Sequence, residues 1–334
     1  MKLGIFVGED RWTFFREIYE DLAAHYQTEI YKRRTYNAAF LHDRINRWAY
    51  MKGMRDILRR SDVCFFEWAS EYLMVASHMP KQCSIVTRLH RFEMYQWVDK
   101  INWENVDKII IVSQAKKEEF IGRFPEHAYK AVVINESIDF RKFLYNPKPF
   151  KGNIGILCHL TPRKRVYELI ITFSELIKQR DYFHLHIGGG PHSSHRDYYT
   201  AINSVVRDLG LEDKVTFYGN IAEPWDWYNL IDIFISNSYS EGLQVAPMEA
   251  MASGCYCLSH HWDGADEMFP EENLYITDSE LLQKLIDYYE MSDEEKSRCI
   301  EHLRSIAIEK FNIEETKDLI RQVIEEVGAS HSKL

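Results

Sequence analysis

Short apolar runs alternate with longer segments of helical spacing, and the pattern is run through twice in a chain of 334 residues. Apolar runs at 3–7, 63–66, 84–87, 109–112 and 131–134 are separated by helical patterns such as 14–24, 38–58 and 114–120. Strands joined by helical crossovers lie parallel in one sheet, which predicts a doubly wound α/β half. The connector Tyr145-Asn146-Pro147-Lys148-Pro149-Phe150 suits an interdomain linker. The pattern then restarts with runs at 153–158, 183–187, 215–218, 233–236 and 256–259. Helical runs at 281–289, 294–310 and 313–327 close the chain, with Asn312 and Glu315 as a capping pair and a tail from Gly328 to Leu334 expected to be disordered. The expectation is two Rossmann-like halves.

Charge narrows the function classes. The chain carries a net charge of −10, but residues 1–150 hold 24 cations against 20 anions, and the remainder 17 against 31. A general nucleic-acid binder would be basic overall, so none is expected. The positive excess gathers between Lys32 and Arg60, where nine cations face Asp43 and Asp56 and are interleaved with Tyr36, Phe40, Trp48, Tyr50 and Met54. That composition fits either a surface helix packed by its aromatic stripe or a basic helix on an anionic membrane or acceptor. No run of 18 apolar residues is present to cross a bilayer. The start, Met1-Lys2-Leu3-Gly4-Ile5-Phe6-Val7, reads as a strand rather than a signal peptide. Six cysteines without a C-x-x-C pair read as buried thiols of a reducing cytoplasm.

Two constellations carry chemistry. Thr161-Pro162 reads as N-cap and first residue of a helix running through Val166, Leu169, Ile170 and Phe173, with Arg163, Lys164 and Arg165 in its first turn. The helix dipole disfavours cations there by about 0.3–1 kcal/mol each, so the arrangement suits an anion better than stability. The other is the segment from Glu241 to Glu249. Pro247 is expected to open a helix that Gly254 ends, placing Glu249 in its first turn and Glu241 in the loop after a parallel strand, where ligands of open α/β sheets bind. Amides at Gly242 and Leu243 would meet a phosphate. No G-x-G-x-x-G follows the first strand, since Gly8-Glu9-Asp10-Arg11-Trp12 stands there, and neither a Walker A sequence nor a D-x-D metal motif occurs. The histidines at 184, 186, 192, 195, 260 and 261 lack accompanying Cys or carboxylate spacing, so no zinc site is expected.

The run Ser240-Glu241-Gly242-Leu243 to Glu249-Ala250-Met251-Ala252-Ser253-Gly254 resembles the E-x7-E signature of retaining GT-B glycosyltransferases, especially glycosyltransferase family 4. Four further matches fall in order: Ile134-Asn135-Glu136-Ser137-Ile138-Asp139, Ile154 to Lys164, Val215-Thr216-Phe217-Tyr218-Gly219, and Asp263-Gly264-Ala265-Asp266-Glu267. They cover most of residues 105–270.

The resemblance implies two Rossmann-like domains facing across a cleft. The first is 1–146 on the acceptor side, joined by the returning C-terminal helix 313–328, and the second is 147–312 for the donor. It implies transfer of a sugar from a UDP- or GDP-linked donor to an acceptor hydroxyl (glycan, lipid-linked or protein), with retention. No metal and no cofactor are expected, and the location implied is the cytoplasm or the inner face of the membrane. Glu249 would hold the ribose, Glu241 the donor sugar, and Lys164 the diphosphate, with Gly8, Gly242 and Leu243 lining the donor. His90, in Arg88-Leu89-His90-Arg91-Phe92-Glu93, would approach the donor sugar as the second catalytic candidate beside Glu241. Two positions depart from the pattern. His159 stands where the family usually has a diphosphate-binding arginine, which Arg163 would compensate, and Gln244 stands where it has a glycine. Those departures keep open a non-catalytic GT-B partner subunit, and the fold keeps open an epimerase or phosphorylase.

Overall fold

The computed structural model describes residues 1–8, 12, 15–37 and 41–331. Two compact units are formed, Met1–Asn135 with Glu314–Leu334, and Glu136–Ile313. Residues 136–146 pack within the second.

The first unit holds six strands, β1 Lys2–Phe6, β2 Gln27–Ile30, β3 Val63–Glu67, β4 Ser84–Leu89, β5 Lys108–Ile111 and β6 Ala131–Val133. Between them run α1 Arg16–His25, α2 His42–Arg60, α3 Glu71–Ser77, α4 Arg91–Gln96 and α5 Gln114–Arg123. All strand pairs are parallel, in the order β2-β1-β3-β4-β5-β6, with Ile5 opposite Phe65 and Phe65 opposite Val86. Helices on both faces explain why every residue of β3 and β4 is buried and why these strands read as continuous apolar runs.

In the second unit the elements are β7 Asn153–Leu157, α6 Val166–Gln179, β8 His184–Gly188, α7 Arg196–Asp208, β9 Val215–Gly219, α8 Trp225–Tyr228, β10 Ile233–Ser236, α9 Val245–Ala252, β11 Tyr256–His260, β12 Leu274–Tyr275, α10 Asp278–Glu290 and α11 Asp293–Lys310. Its parallel sheet runs β12-β11-β10-β7-β8-β9, the dinucleotide-fold order. The order reverses between β7 and β10, so the loops after these two strands flank the crevice where such sheets take ligands. The last helix, α12 Ile313–His331, closes on the first unit. There Arg321 pairs with Asp21, the Tyr26 hydroxyl donates to Glu325 at 3.0 Å, and the Ser84 hydroxyl donates to the Val327 carbonyl at 3.2 Å.

Several local expectations are corrected. Thr161 does not start a continuous helix. Pro162–Lys164 is a single 3-10 turn, Arg165 turns left-handed at φ 50°, and α6 begins only at Val166. Helix α9 opens two residues before Pro247, with Gln244 as its N-cap, so Glu249 lies in the second turn rather than the first. The edge strands β2 and β12 were not expected. The first, Gln27-Thr28-Glu29-Ile30, holds a single apolar residue and the second is two residues long, too little for a periodic signal. Gly328 is helical and the helix reaches His331, while 332–334 lie outside the described residues. Phe40 and the motif residues Glu9, Asp10 and Arg11 also lie outside them.

Candidate functional site

At the switch point of the second unit, the turn after β7 meets the loop after β10. Lys164 Nζ stands 2.5 Å from Glu241 Oε1, and Arg163 Nη1 stands 2.6 Å from the same oxygen. Arg163 also donates to the Ser240 carbonyl at 2.7 Å, and the Tyr239 amide donates back to the Arg163 carbonyl at 3.3 Å. The Asn237 side-chain amide donates to the Arg165 carbonyl at 2.8 Å and accepts from the buried Tyr275 hydroxyl at 2.7 Å. The Ser236 hydroxyl donates to the Gln244 side-chain carbonyl at 2.6 Å. These bonds bind two loops 77 residues apart in the chain into one rigid rim.

Burial alone would push the Glu241 carboxyl up. The neighbouring Lys164 and Arg163 charges, with hydrogen bonds from Lys164 and Ser238, overrule it and hold the group near 2. Glu241 is therefore a carboxylate at any ordinary pH, and two cations share one of its oxygens. An incoming anion meets the N–H groups of those cations already positioned.

Glu249 sits in the opposite electrostatic regime. Its nearest polar partner is the Tyr228 hydroxyl, 2.8 Å away, which also lies 3.1 Å from the Ala246 carbonyl. Burial raises its carboxyl from 4.5 to about 7, against the lowering effects of Tyr228 and of Lys142. The two glutamates of one motif thus differ by about five units in acidity, set by their surroundings.

His159 follows β7 on the same rim, partly open to solvent and partly covered by its neighbours. Its imidazole is held below its usual value near 6.5 by burial first, then by Lys164, His192 and Arg163. Gly242 and Leu243 lie buried in the loop ahead of α9. Gly189, after β8, adopts φ 119°, where a Cβ would fall 1.8 Å from the Cys158 carbonyl oxygen, so only glycine fits this crossing.

In the first unit the sheet order β2-β1-β3 places Gly8, after β1, beside the end of β3. His90 is the N-cap of α4 after β4, its amide donating to Glu93 at 3.2 Å. Its Nε2 lies 3.1 Å from Glu67 Oε1, which also accepts from the fully buried Arg88 at 3.0 Å. The ring stacks on Trp68 with centroids 4.1 Å apart. Trp68 has φ 78°, a conformation uncommon for a bulky residue.

Of the sequence candidates, Arg163, Lys164, Glu241 and His159 come together, Glu249 lies apart against Tyr228, and Gly8 and His90 belong to the first unit. Sequence reasoning missed Asn237, Tyr228, His192, Glu67 and Trp68. Glu67-Trp68 and Asn237, each at the end of an apolar run, carried a positional signal.

Residues 151–290 match the family described as glycosyl transferases group 1. Mannosylfructose-phosphate synthase of Agrobacterium fabrum is 32% identical over 111 residues, covering 31% of this chain and 24% of that protein. Alpha-monoglucosyldiacylglycerol synthase of Streptococcus pneumoniae is 27% identical over 146 residues, 38% and 32% respectively. The chain spans about a quarter to a third of the length of these curated relatives. Across nearly the whole chain, HepE of Anabaena in complex with UDP superposes with a TM-score of 0.81 at 17% identity, covering 98% of this chain and 100% of that one. Sucrose-phosphate synthase of Thermosynechococcus elongatus does so at 0.78 and 14% identity, covering 99% and 100%. The two parallel six-stranded sheets give this chain the GT-B fold of these solved structures, and within the second unit residues 151–290 are similar to glycosyl transferases group 1.

Proposed function

We propose that this protein transfers a sugar from a nucleoside-diphosphate sugar to an acceptor hydroxyl, with retention and without a metal. The observation that carries this reading is the Glu241 carboxylate held between Lys164 and Arg163 at the switch point of the second sheet. When the bond from C1 of the sugar to the β-phosphate oxygen breaks, its electron pair stays on that oxygen. Lys164 and Arg163 stabilise the charge developing there, and Glu241 both positions them and contacts the donor sugar. Glu249, raised toward neutrality, receives the ribose hydroxyls. Gly8, Gly242 and Leu243 line the donor, and His90, oriented by Glu67, is the second catalytic residue, an assignment that rests on the family resemblance. Relatives solved with UDP or UDP-glucose support a UDP-linked donor, and GDP is the alternative base.

The acceptor side includes the exposed face of α2. Ile45 and Trp48 project there with Leu41 just ahead of the helix, and Arg44, Lys52 and Arg55 fall on the same arc. That face opposes the buried residues Tyr50, Met54 and Ile57. An apolar stripe within cations fits the headgroup region of an anionic membrane and supports a peripheral location on its cytoplasmic side. No helix among the described residues is long and apolar enough to cross a membrane.

The test is donor turnover with UDP- and GDP-sugars, with and without a chelator. Loss of turnover in both Glu241→Ala and Lys164→Ala is expected, with chelator having no effect. Full activity in both variants would overturn the site. Binding without turnover would favour the partner-subunit reading, and epimerised or phosphate-cleaved products an epimerase or phosphorylase.

A further inference from the structure

The rim around Lys164 contains one feature that the donor site as proposed does not use. The segments leaving β7 and β8 run side by side, with a parallel bridge between Leu160 and Pro191 and the Leu160 amide donating to the Gly190 carbonyl at 3.3 Å. Gly189, at the position where a Cβ would strike the Cys158 carbonyl, lets the second segment come this close. The crossing brings the His192 ring edge-on to the His159 ring, with centroids 6.2 Å apart. His195, at the N-cap of α7, stands behind His192, their Nδ1 atoms 3.4 Å apart.

The groups facing His159 are nearly all cationic or able to become so. Lys164 and Arg163 come from the turn after β7, His192 from the loop after β8, and Cys158 precedes it with a thiol that burial raises to about 11. The Glu241 carboxylate is already engaged by both Lys164 and Arg163. In the free protein desolvation first, and then the charges of Lys164 and Arg163, disfavour the protonated His159 imidazole. A dianion placed against Lys164 reverses the local field, because an opposite charge within about 4–6 Å favours the protonated imidazole.

We propose that His159, set edge-on to His192 beside Lys164 and Arg163, is a protonatable part of the diphosphate site that takes up a proton as the donor binds. The proposal rests on the donor reading above and adds to it a pH-dependent affinity that an arginine at position 159 would not have. Linkage gives the sign. The bound state holds more protons than the free state, so affinity rises as pH falls through the neutral range toward the free imidazole value.

UDP-glucose and GDP-mannose are suitable probes because their diphosphate diesters and bases do not titrate near neutrality. Their binding to the full chain is measured by calorimetry at about pH 6, 7 and 8, in buffers of different ionisation enthalpy, which counts protons taken up. For the sugar nucleotide that binds, affinity is expected to be at least about fivefold tighter at pH 6 than at pH 8, with net proton uptake at pH 7. His159→Arg should bind with less than about twofold change over that range, since guanidinium stays charged throughout. Circular dichroism at each pH confirms that the variant is folded. Constant affinity with no proton uptake in the unmodified protein overturns this inference while leaving the donor reading intact. The same holds if His159→Arg keeps the original slope. No binding of either sugar nucleotide at any pH overturns both.

Discussion

Replacing Glu249 with glutamine separates what the site costs from what it does. Burial raises the Glu249 carboxyl from 4.5 to about 7. Below 4.5 the group is protonated in the folded and unfolded chain alike, and folding carries no charge penalty. Above 7 it is charged in both, and folding carries the whole of it, so stability is lost as pH rises through the folded value. A shift of about 2.5 units at 1.36 kcal/mol per unit sets a ceiling of about 3.4 kcal/mol. Part of the side chain remains in contact with solvent, which brings the expectation to about 1–3 kcal/mol. Glutamine keeps an oxygen to accept from the Tyr228 hydroxyl and removes the charge. Glu249→Gln should therefore be more stable than the unmodified protein at pH 8 and little different at pH 5. In thermal unfolding, with about 2–4 °C per kcal/mol for a unit of this size, the gain at pH 8 should be about 2–12 °C larger than at pH 5. Nucleotide affinity should fall in the same variant, because the ribose loses its acceptor. A gain of equal size at both pH values, or no gain at pH 8, would refute the argument that desolvation dominates at this residue.

Four other outcomes are expected. Gly254→Ala, at φ 84° with a Cβ 2.1 Å from a Tyr145 ring carbon, should destabilise by about 2–4 kcal/mol in urea unfolding. Gly210→Ala, at φ 65° with nothing within 4 Å, should lose only about 1–2 kcal/mol by the same measurement. Pelleting with phosphatidylglycerol-containing vesicles should be lost in Trp48→Ser combined with Arg44→Gln and Arg55→Gln and should weaken with salt, whereas equal pelleting with neutral vesicles would exclude the α2 face as an electrostatic contact. Lys164→Ala should cost turnover at least about a hundredfold and also stability by about 1–3 kcal/mol, because Glu241 then keeps Arg163 alone as a cationic partner.

The alternation of strands and helices was legible because a parallel sheet is covered on both faces, so its strands read as unbroken apolar runs whose spacing needs no partner to interpret. Val63-Cys64-Phe65-Phe66 declared itself in this way, and Gly254 could be read as a helix stop because its positive φ is a local matter. The Glu241 to Glu249 spacing was legible as a motif, and the cations at 163 and 164 as a stretch badly placed for stability alone. Their meeting was not legible, since Lys164 and Glu241 are 77 residues apart and are joined only by the strand order that sets β7 beside β10. The same order brings His192 to His159 and Tyr228 to Glu249, contacts without a trace in local sequence. Local chemistry thus determined which residues could act as strand, helix, stop, cation or acid. The crossover connections decided which of them share a dielectric and a field, and that is why two glutamates of one motif are an ionised carboxylate and a group near neutrality.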